Sequence, residues 1–452
     1  MSSTKLIPHF HVDEIEKSPM SKAFIQNQIK KKPDVDQNND VSLFCADYDK
    51  EIHPLEHPSN TKGYVFHGDK LFFQGFPYST ELNLKSFDEL QIDLKNCRIF
   101  ESHEGTLIRV FNINNIWYTS TNRKLDALKS KWAAKHTTFG QRFVAAIRDL
   151  VDENEEASEE EKDEESTTST TTSNKSGVST TSSVGLKKYE ERVKEQNSKD
   201  IAFLTKIYEK NLDPLKKYMF ILKPSEEERI VCRAEPSPTI YHVGTFDKDN
   251  MLSLDEEVIL NGTKIETPKE KFFKNWHELK NSIDSININY HQGYILIQKG
   301  EKFDKHYKII NDQYRYLFSV RGNVPSLRFR YLQLRKYGGS GSIRNAPVNE
   351  EMYESFLDLY NFHNEAMAIE KEIYELSKDL HQKYLLIYVE KKRNSDLSEA
   401  ENDVLQNIIH KSYLDTRSKT TVSKINDLLT LNKPSKINKL LQDKRAQNNL
   451  KK

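Results

Sequence analysis

Residues 98–132, RIFESHEGTLIRVFNINNIWYTSTNRKLDALKSKW, constrain this chain more than any other stretch. The first half alternates and is rich in Ile, Phe, Val, Trp, Tyr and Thr, which is strand composition at strand period. The polar break Asn112–Asn115 predicts a hairpin, Ile99–Phe111 against Ile116–Thr121. The second half shifts to helical spacing, with Leu125, Leu128 and Trp132 on one face and Lys129, Lys131 and Lys135 off it. Between them sits a compact polar set: Glu101, Ser102, His103, Glu104, Gly105 and Thr106, followed by Arg123 and Lys124. Taken alone, these residues describe a hairpin that leads into an amphipathic helix.

The neighbouring sequence sets the organisation. Residues 1–60 read as a polar extension, with 30–40 an exposed loop and a short helix that turns Ile15, Phe24 and Ile25 inward. Gly63–His67 and Leu71–Phe76 read as short strands joined at Gly68-Asp69. Phe143, Val144, Ile147 and Leu150 repeat at helical spacing. An acidic run and an almost pure Ser/Thr run then fill Asp152–Gly185. Neither can bury enough apolar surface to offset chain entropy, so this stretch is expected to be a disordered insertion within one domain. Leu186–Leu212 reads as a helix, residues 218–310 as mostly strands, and Phe272–Ile283 as a helix around Trp276 and Leu279. Pro325-Ser326 starts another helix, with Leu327, Tyr331 and Leu334 inward. From about Glu350 the pattern is helical, Ser398 and Glu401 form a capping box, and the tail is basic.

Charge and cysteines narrow the class. Lys plus Arg and Asp plus Glu each number 68 in 452 residues, so no uniformly basic coat for nucleic acid exists. The three cysteines, Cys45, Cys97 and Cys232, have no metal-ligand spacing, and free thiols fit an intracellular protein. His9, His11, His53 and His57 lack the Cys or carboxylate partners of a metal centre, so no metal site is expected. No apolar run approaches the ~20 residues that span a bilayer, and no secretory signal is visible, so the expectation is a soluble chain without a membrane.

Five segments in one order carry a resemblance. TKGYVFHGDKLFFQGFPYSTELNL (Thr61–Leu84), the SHEG of Ser102–Gly105, YMFILKPSEEERIV (Tyr218–Val231), and the pair HQGYILIQKG (His291–Gly300) with HYKIINDQYRYL (His306–Leu317) follow one another as do the motifs of bacteriophage-type RNA ligases. Those enzymes belong to the covalent nucleotidyltransferase superfamily. Sequences with this EGT-type first motif also look like proteins of large DNA viruses of eukaryotes, which implies action in the host cytoplasm. The resemblance implies an α+β fold: an antiparallel-sheet nucleotidyltransferase domain over 61–345, interrupted at 152–185, then an all-helical domain over 350–452.

The resemblance also implies a chemistry and shows where this chain departs from it. The family's lysine, in a K-x-D-G motif, attacks the α-phosphate of ATP, with Mg2+ present. That position is Ser102 here, and serine cannot form the phosphoramidate; Glu104 and Gly105 keep the acid and the glycine. The third motif carries Phe220 where the family has a ribose-gripping acid. The fourth carries Gln292 before Gly293 where the family has a metal-binding glutamate. In the fifth, Lys308-Ile309-Ile310 keeps one of two lysines. Arg109, Arg123, Lys124, Gln292 and Lys308 are the implied nucleotide and phosphate contacts. Arg321, Arg328, Arg330 and Arg335, interleaved with aromatic residues, form a basic cluster suited to single-stranded nucleic acid. Three functions follow: a degenerate ligase that binds RNA or nucleotide, an active ligase with a displaced lysine such as Lys124, or a scaffold that contacts proteins through its C-terminal helices.

Overall fold

The computed structural model describes residues 34–45, 62–82, 92–133, 137–160, 183–300, 304–338, 347–392 and 397–450. The helix expected around Ile15 and Phe24, and the four histidines at positions 9, 11, 53 and 57, lie outside these residues. The chain divides into two compact units, Met1–Tyr314 and Arg315–Lys452.

The first unit is built on three sheets. β1 (Asp34–Asn38), β2 (Val41–Cys45), β3 (Lys62–His67) and β4 (Lys70–Phe73) form an antiparallel meander. Gly68-Asp69 makes the predicted turn between β3 and β4. The polar segment expected to be a loop over 30–40 instead supplies β1, an edge strand paired to β2 along its length. β5 (Thr80–Glu81) and β6 (Cys97–Ser102) follow, then β7 (Thr106–Ile113) and β8 (Ile116–Ser120). β7 and β8 are the predicted hairpin, and Asn114 and Asn115 both hold positive φ at its turn.

The expected single strand Ile99–Phe111 is two strands. The chain leaves one sheet at Ser102 and enters another at Thr106. Helical spacing after Thr121 produces only a 3-10 turn, Ala127–Lys129, although Leu125 and Leu128 are buried as expected.

Two helices come next, α1 (Phe139–Glu160) and α2 (Ser183–Asn211). The outer parts of the predicted Asp152–Gly185 insertion are therefore helical, and 161–182 lies outside the described residues. β9 (Lys217–Leu222), β10 (Ile240–Phe246) and β11 (Leu252–Ser253) join β7 and β8 in a middle sheet of order β11-β10-β9-β7-β8. A small hairpin follows, β12 (Ile259–Leu260) with β13 (Thr263–Lys264). β14 (Glu270–Lys271), α3 (Trp276–Asp284), β15 (Gly293–Gln298) and β16 (Lys305–Ile310) complete a third sheet of order β14-β6-β15-β16-β5. All its pairs are antiparallel except β16 with β5.

Three apolar layers hold this unit. Phe143, Ile147, Leu204 and Tyr208 of α1 and α2 cover one face of the middle sheet at Ile108, Val110 and Phe220. Leu43, Val65 and Phe73 of the meander cover part of the other face, at Phe111 and Met219. Leu279 and Ile283 of α3 cover one face of the third sheet, at Ile99, Leu296 and Ile309. Removing such side chains from water is worth about 1.5–3 kcal/mol each.

The second unit is helical. α4 (Asp312–Arg321) starts just before the division; α5 (Leu327–Gly338), α6 (Pro347–Leu359), α7 (His363–Tyr384) and the later helices end with a helix over Pro434–Leu450. Its core joins Tyr331, Leu334, Phe356, Ile373, Leu380 and Ile437. The unit begins about thirty residues before the expected boundary near Glu350. The Gly338–Gly341 break suggests a boundary by composition, but Tyr331 and Leu334 of α5 pack into the helical core. The predicted capping box at Ser398 and Glu401 is present in full.

Candidate functional site

The third sheet alternates strictly. Ile99, Tyr294, Leu296, Tyr307 and Ile309 point into the layer under α3. The residues between them, Arg98, Phe100, Ser102, Ile295, His306 and Lys308, line a cleft of about 670 Å³. Its opposite wall is apolar, made of Leu107, Ile221 and Val243 of the middle sheet, with Phe76, Pro77 and Tyr78 at one end. Strand period alone places these groups: one sheet face is spent on the core and the other is left for a ligand.

The first, fourth and fifth motifs meet on the cleft floor. Ser102 closes β6 and pairs with Gly293, the first residue of β15. The Gln292 backbone N–H donates to the Ser102 carbonyl at 2.8 Å. The Gln292 side-chain amide donates to the His103 carbonyl, 189 residues away, at 3.0 Å. The Lys308 ammonium donates to the Gln292 Oε1 at 2.8 Å. Ser102 and Gln292 are buried, and Lys308 is half-buried. Burial lowers the Lys308 ammonium to about 8, with Glu81 pulling the other way and Lys62 pushing it further down.

Two glycines explain how the strands come this close. A Cβ on Gly293 would lie 1.9 Å from the Ile309 carbonyl oxygen, and one on Gly105 would lie 2.5 Å from the Leu222 carbonyl oxygen. Both positions therefore exclude every other residue type unless backbone moves.

Glu104 does not reach into the cleft. Its buried carboxylate accepts from the backbone N–H groups of Ile230, Val231 and Cys232 at 3.2, 2.6 and 3.1 Å, and from the Tyr314 hydroxyl at 2.6 Å. It ties the segment after β9 to the point where the chain changes sheets. The acid of the first motif is thus a positioning group.

Two residues read from the motifs, Phe220 and Ile309, lie in the core and not in the cleft. Phe220 lies in the core against Phe143 and His242, with ring centroids 5.6 and 5.7 Å apart, and is 1% exposed. The residue of β9 that faces the cleft is Ile221. On β16, the residues facing the cleft as a pair two apart are His306 and Lys308. Of the expected Lys308-Ile309-Ile310 segment, Lys308 lines the cleft and Ile309 lies in the core under α3. His306 stands 5.3 Å from the Phe76 ring, and burial with the nearby Lys62 lowers it to about 4.

The other predicted contacts do not join the floor. Arg109 is fully buried and donates to the carbonyls of Gly63 and Thr121, which ties β7 to β3. Arg123 and Lys124 are exposed, and the Lys124 ammonium lies 4.0 Å from Asp36 of β1. The arginine cluster is a set of braces within the helical unit. Arg335 is 0% exposed, grips Glu370 with two bonds of 2.7 Å and reaches Thr430 at 3.0 Å. Arg321 is equally buried and donates to the carbonyls of Val324 and Pro325. Arg328 pairs with Glu372 at 2.5 Å, and Arg330 donates to the carbonyls of Val320 and Ser319 at 2.8 Å. Their positive charges are taken up inside the protein.

Sequence reading gave no role to three groups at the site: His306, described above, Lys62 and His103. Lys62, on β3, lines the cleft, and burial lowers its ammonium. His103 stacks on Tyr241 at 4.7 Å and 17°, beside the buried Lys223, and burial with that charge lowers it to about 4. His103 also lines a smaller neighbouring cavity of about 320 Å³, with Lys223, Glu235, Tyr241 and Tyr290. Strand alternation from Lys308 could have found His306; nothing local marks Lys62.

The residues do not fit the metal that the resemblance implies. Gln292 stands at the acid position, and its oxygen is engaged by Lys308. Among the described residues, no group of three or more His, Cys, Asp or Glu side chains is placed to hold an ion. No helix among them is long and apolar enough to cross a membrane.

No family model matches this chain. It is similar to viral proteins: 26% identical over 432 residues to the immediate-early protein ICP-46 homolog of Invertebrate iridescent virus 6, covering 89% of this chain and 80% of that one. It is also 26% identical over 309 residues to the immediate-early protein ICP-46 of Frog virus 3 (isolate Goorha), covering 68% of this chain and 66% of that one. Among solved structures it is similar to an archaeal ATP-dependent RNA ligase, with TM-score 0.31 and 8% identity, covering 74% of this chain and 70% of that one. An overlap of that size leaves the fold to be read from the strand order itself.

Proposed function

We propose that this chain is a ligase-like nucleotidyltransferase-fold protein of the bacteriophage RNA ligase kind, which has lost the covalent step and kept a nucleotide-binding cleft. The observation that carries this reading is the bonded cluster of Ser102, Gln292 and Lys308. Three motifs far apart in sequence supply one cleft floor, with apolar walls above it that suit a nucleoside. Pockets of this kind, mostly apolar with a few convergent polar groups, are the usual form of a small-molecule site.

The groups that would carry the reaction are absent from that floor. Serine stands at the nucleophile, an amide at the metal acid, and Ile221 faces the cleft on β9. Lys124, the displaced nucleophile of the rival reading, is exposed beside Asp36. Nucleic acid enters this reading only through its terminal nucleotide in the cleft, since the arginines of the helical unit are occupied internally. The viral relatives are described as immediate-early proteins, and we extend that description to this chain.

The test is equilibrium binding of a fluorescent adenine or guanine nucleotide, together with incubation of the protein with α-labelled ATP or GTP. Saturable binding that Lys308→Met weakens at least tenfold, with no acid-stable label, is the expected result. Lysine-linked label on the wild-type protein would replace this reading with an active enzyme.

A further inference from the structure

Lys308 and Lys62 line the cleft, and the acids around its mouth are each paired to a basic side chain. Resting on the nucleotide reading above, we propose that the cleft takes a nucleoside 5′-phosphomonoester, free or at the end of a strand, without a divalent cation. Lys308 and Lys62 supply the positive charge that a metal would bring.

Three observations lead there. The first is the commitment of Gln292. Its oxygen accepts from Lys308 and its nitrogen donates to the His103 carbonyl, so the residue at the metal-acid position offers no free oxygen. The Lys308 ammonium thus engages the one side-chain oxygen at that position.

The second is the pairing of the acids around the mouth. Asp255 and Glu270 both bind Arg98 at 2.7 Å. Glu101 pairs with Lys271 at 3.1 Å and Glu256 with Lys216 at 2.9 Å, while Glu257 pairs with Lys264. A carboxylate already matched to an ammonium or guanidinium is a poor ligand for a hard cation, which needs several oxygens stripped of competing charge. The donor set a magnesium nucleotide needs is therefore missing both on the floor and at the mouth.

The third is the charge balance. Lys308 and Lys62 bring two ammonium groups to the cleft. A phosphomonoester carries about −1.5 to −2 near neutral pH and offers three acceptor oxygens. Two ammonium groups, offset in part by Glu81 beside Lys308, suit that charge and fall well short of a metal-free triphosphate. Ser102, which lines the same cleft on β6 with β15 between it and Lys308, adds a hydroxyl donor. Charge-assisted bonds of this type are about twice as strong as neutral ones.

The test is a set of titrations with the full chain, in EDTA and in millimolar Mg2+. The probes are AMP, ATP, a 5′-phosphorylated oligonucleotide and the same oligonucleotide with a 5′-hydroxyl. AMP is expected to bind equally in both buffers and at least as tightly as ATP. The 5′-phosphorylated strand should compete with AMP if the strand end is the natural ligand, and the 5′-hydroxyl strand should not. Free AMP binding without competition by either strand would assign the site to the mononucleotide. Lys308→Met and Lys62→Met, checked by melting curves for intact folding, should each weaken AMP binding at least tenfold.

ATP that binds more than tenfold tighter with Mg2+ than in EDTA, and tighter than AMP, would overturn this inference and leave the nucleotide reading standing. No binding of any probe in either buffer would overturn both.

Discussion

The helical unit and the cleft each gather positive side chains, and they use them in opposite ways. Arg321, Arg328, Arg330 and Arg335 look in sequence like a strand-binding cluster. In the structure each is answered by a carboxylate or carbonyl of its own unit. Lys308 and Lys62 are far apart in sequence and inconspicuous, yet they share a cleft with room for a ligand. Lys308 is held by a single neutral amide there. The difference lies in what a charge is paired with, since breaking a buried ion pair costs about 3–5 kcal/mol and an occupied guanidinium is not available to phosphate. Density of basic residues along the chain therefore says little about where an anion binds.

The strongest way to break this contrast is Arg335→Ala. The substitution leaves Glu370 facing an emptied pocket and removes the bond to Thr430. The expected loss is about 3 kcal/mol of stability in urea unfolding, in line with removal of one partner of a buried pair. A loss below about 1 kcal/mol would mark the pair as one that behaves like a surface bridge.

Lys308→Met should do the reverse. Affinity for AMP is expected to fall at least tenfold, about 1.4 kcal/mol. Melting should shift little, because a half-buried charge held by one amide is replaced by an apolar chain of similar length. If stability fell and binding did not, Lys308 would belong with the arginines as a brace.

The pH profile sharpens the comparison further. With its ammonium lowered to about 8, Lys308 is charged below that pH and neutral above it. Its surroundings are Glu81, Glu104, Lys62 and Cys232, and the Cys232 thiol, pushed up to about 12, stays neutral throughout. His103 and His306, both lowered to about 4, are also neutral across this range. Phosphate gains its second charge near pH 6. AMP affinity should therefore rise from pH 5 to about 6.5 and fall above about 8, as measured by titration calorimetry. Affinity that kept rising past pH 9 would remove Lys308 from the contact.

Arg328→Ala with Arg330→Ala should change strand affinity less than twofold and leave its dependence on salt unaltered. A flatter slope of log affinity against log salt would show that these arginines do neutralise phosphates.

Much of this architecture is visible in the sequence wherever local rules decide. The β3–β4 turn, the β7–β8 hairpin, α1, α5 and the Ser398 capping box all follow from turn chemistry, periodicity and caps. Three features escape because tertiary contacts decide them. Alternation runs on through Ser102–Gly105, so the change of sheet is invisible; what permits it is the approach of Gly105 to Leu222. β9 reads KYMFIL and is apolar on both faces, so its period cannot tell Phe220 from Ile221. β1 reads DVDQN and lacks strand composition, and its pairing with β2 makes it a strand. In the site, the structure brings Ser102, Gln292 and Lys308 together on one cleft floor, while Glu104 and Arg109 hold the frame.

The smallest effect is expected where the resemblance would suggest the largest. Ser102→Lys restores the family's nucleophile, yet it should yield no acid-stable nucleotide label from ATP and Mg2+. Position 102 is buried at the end of β6, and a third ammonium there would join Lys308 and Lys62 on one floor. Like charges held that close resist one another, and Gln292, an amide, adds no negative charge to relieve them. A metal that positions the leaving group has no donor set to hold it. Adding Phe220→Glu would not help: that side chain faces α1, and a carboxylate there would be buried without a partner, a change that costs several kcal/mol. Ile221→Glu with Gln292→Glu is the combination that places both acids in the cleft. Catalytic groups that act as a unit do not give partial rates in proportion to their number, so the single change should read as background. Label recovered by peptide mapping at position 102 in the single variant would show that nucleophile alone was missing, and that the cleft still assembles the geometry for the reaction.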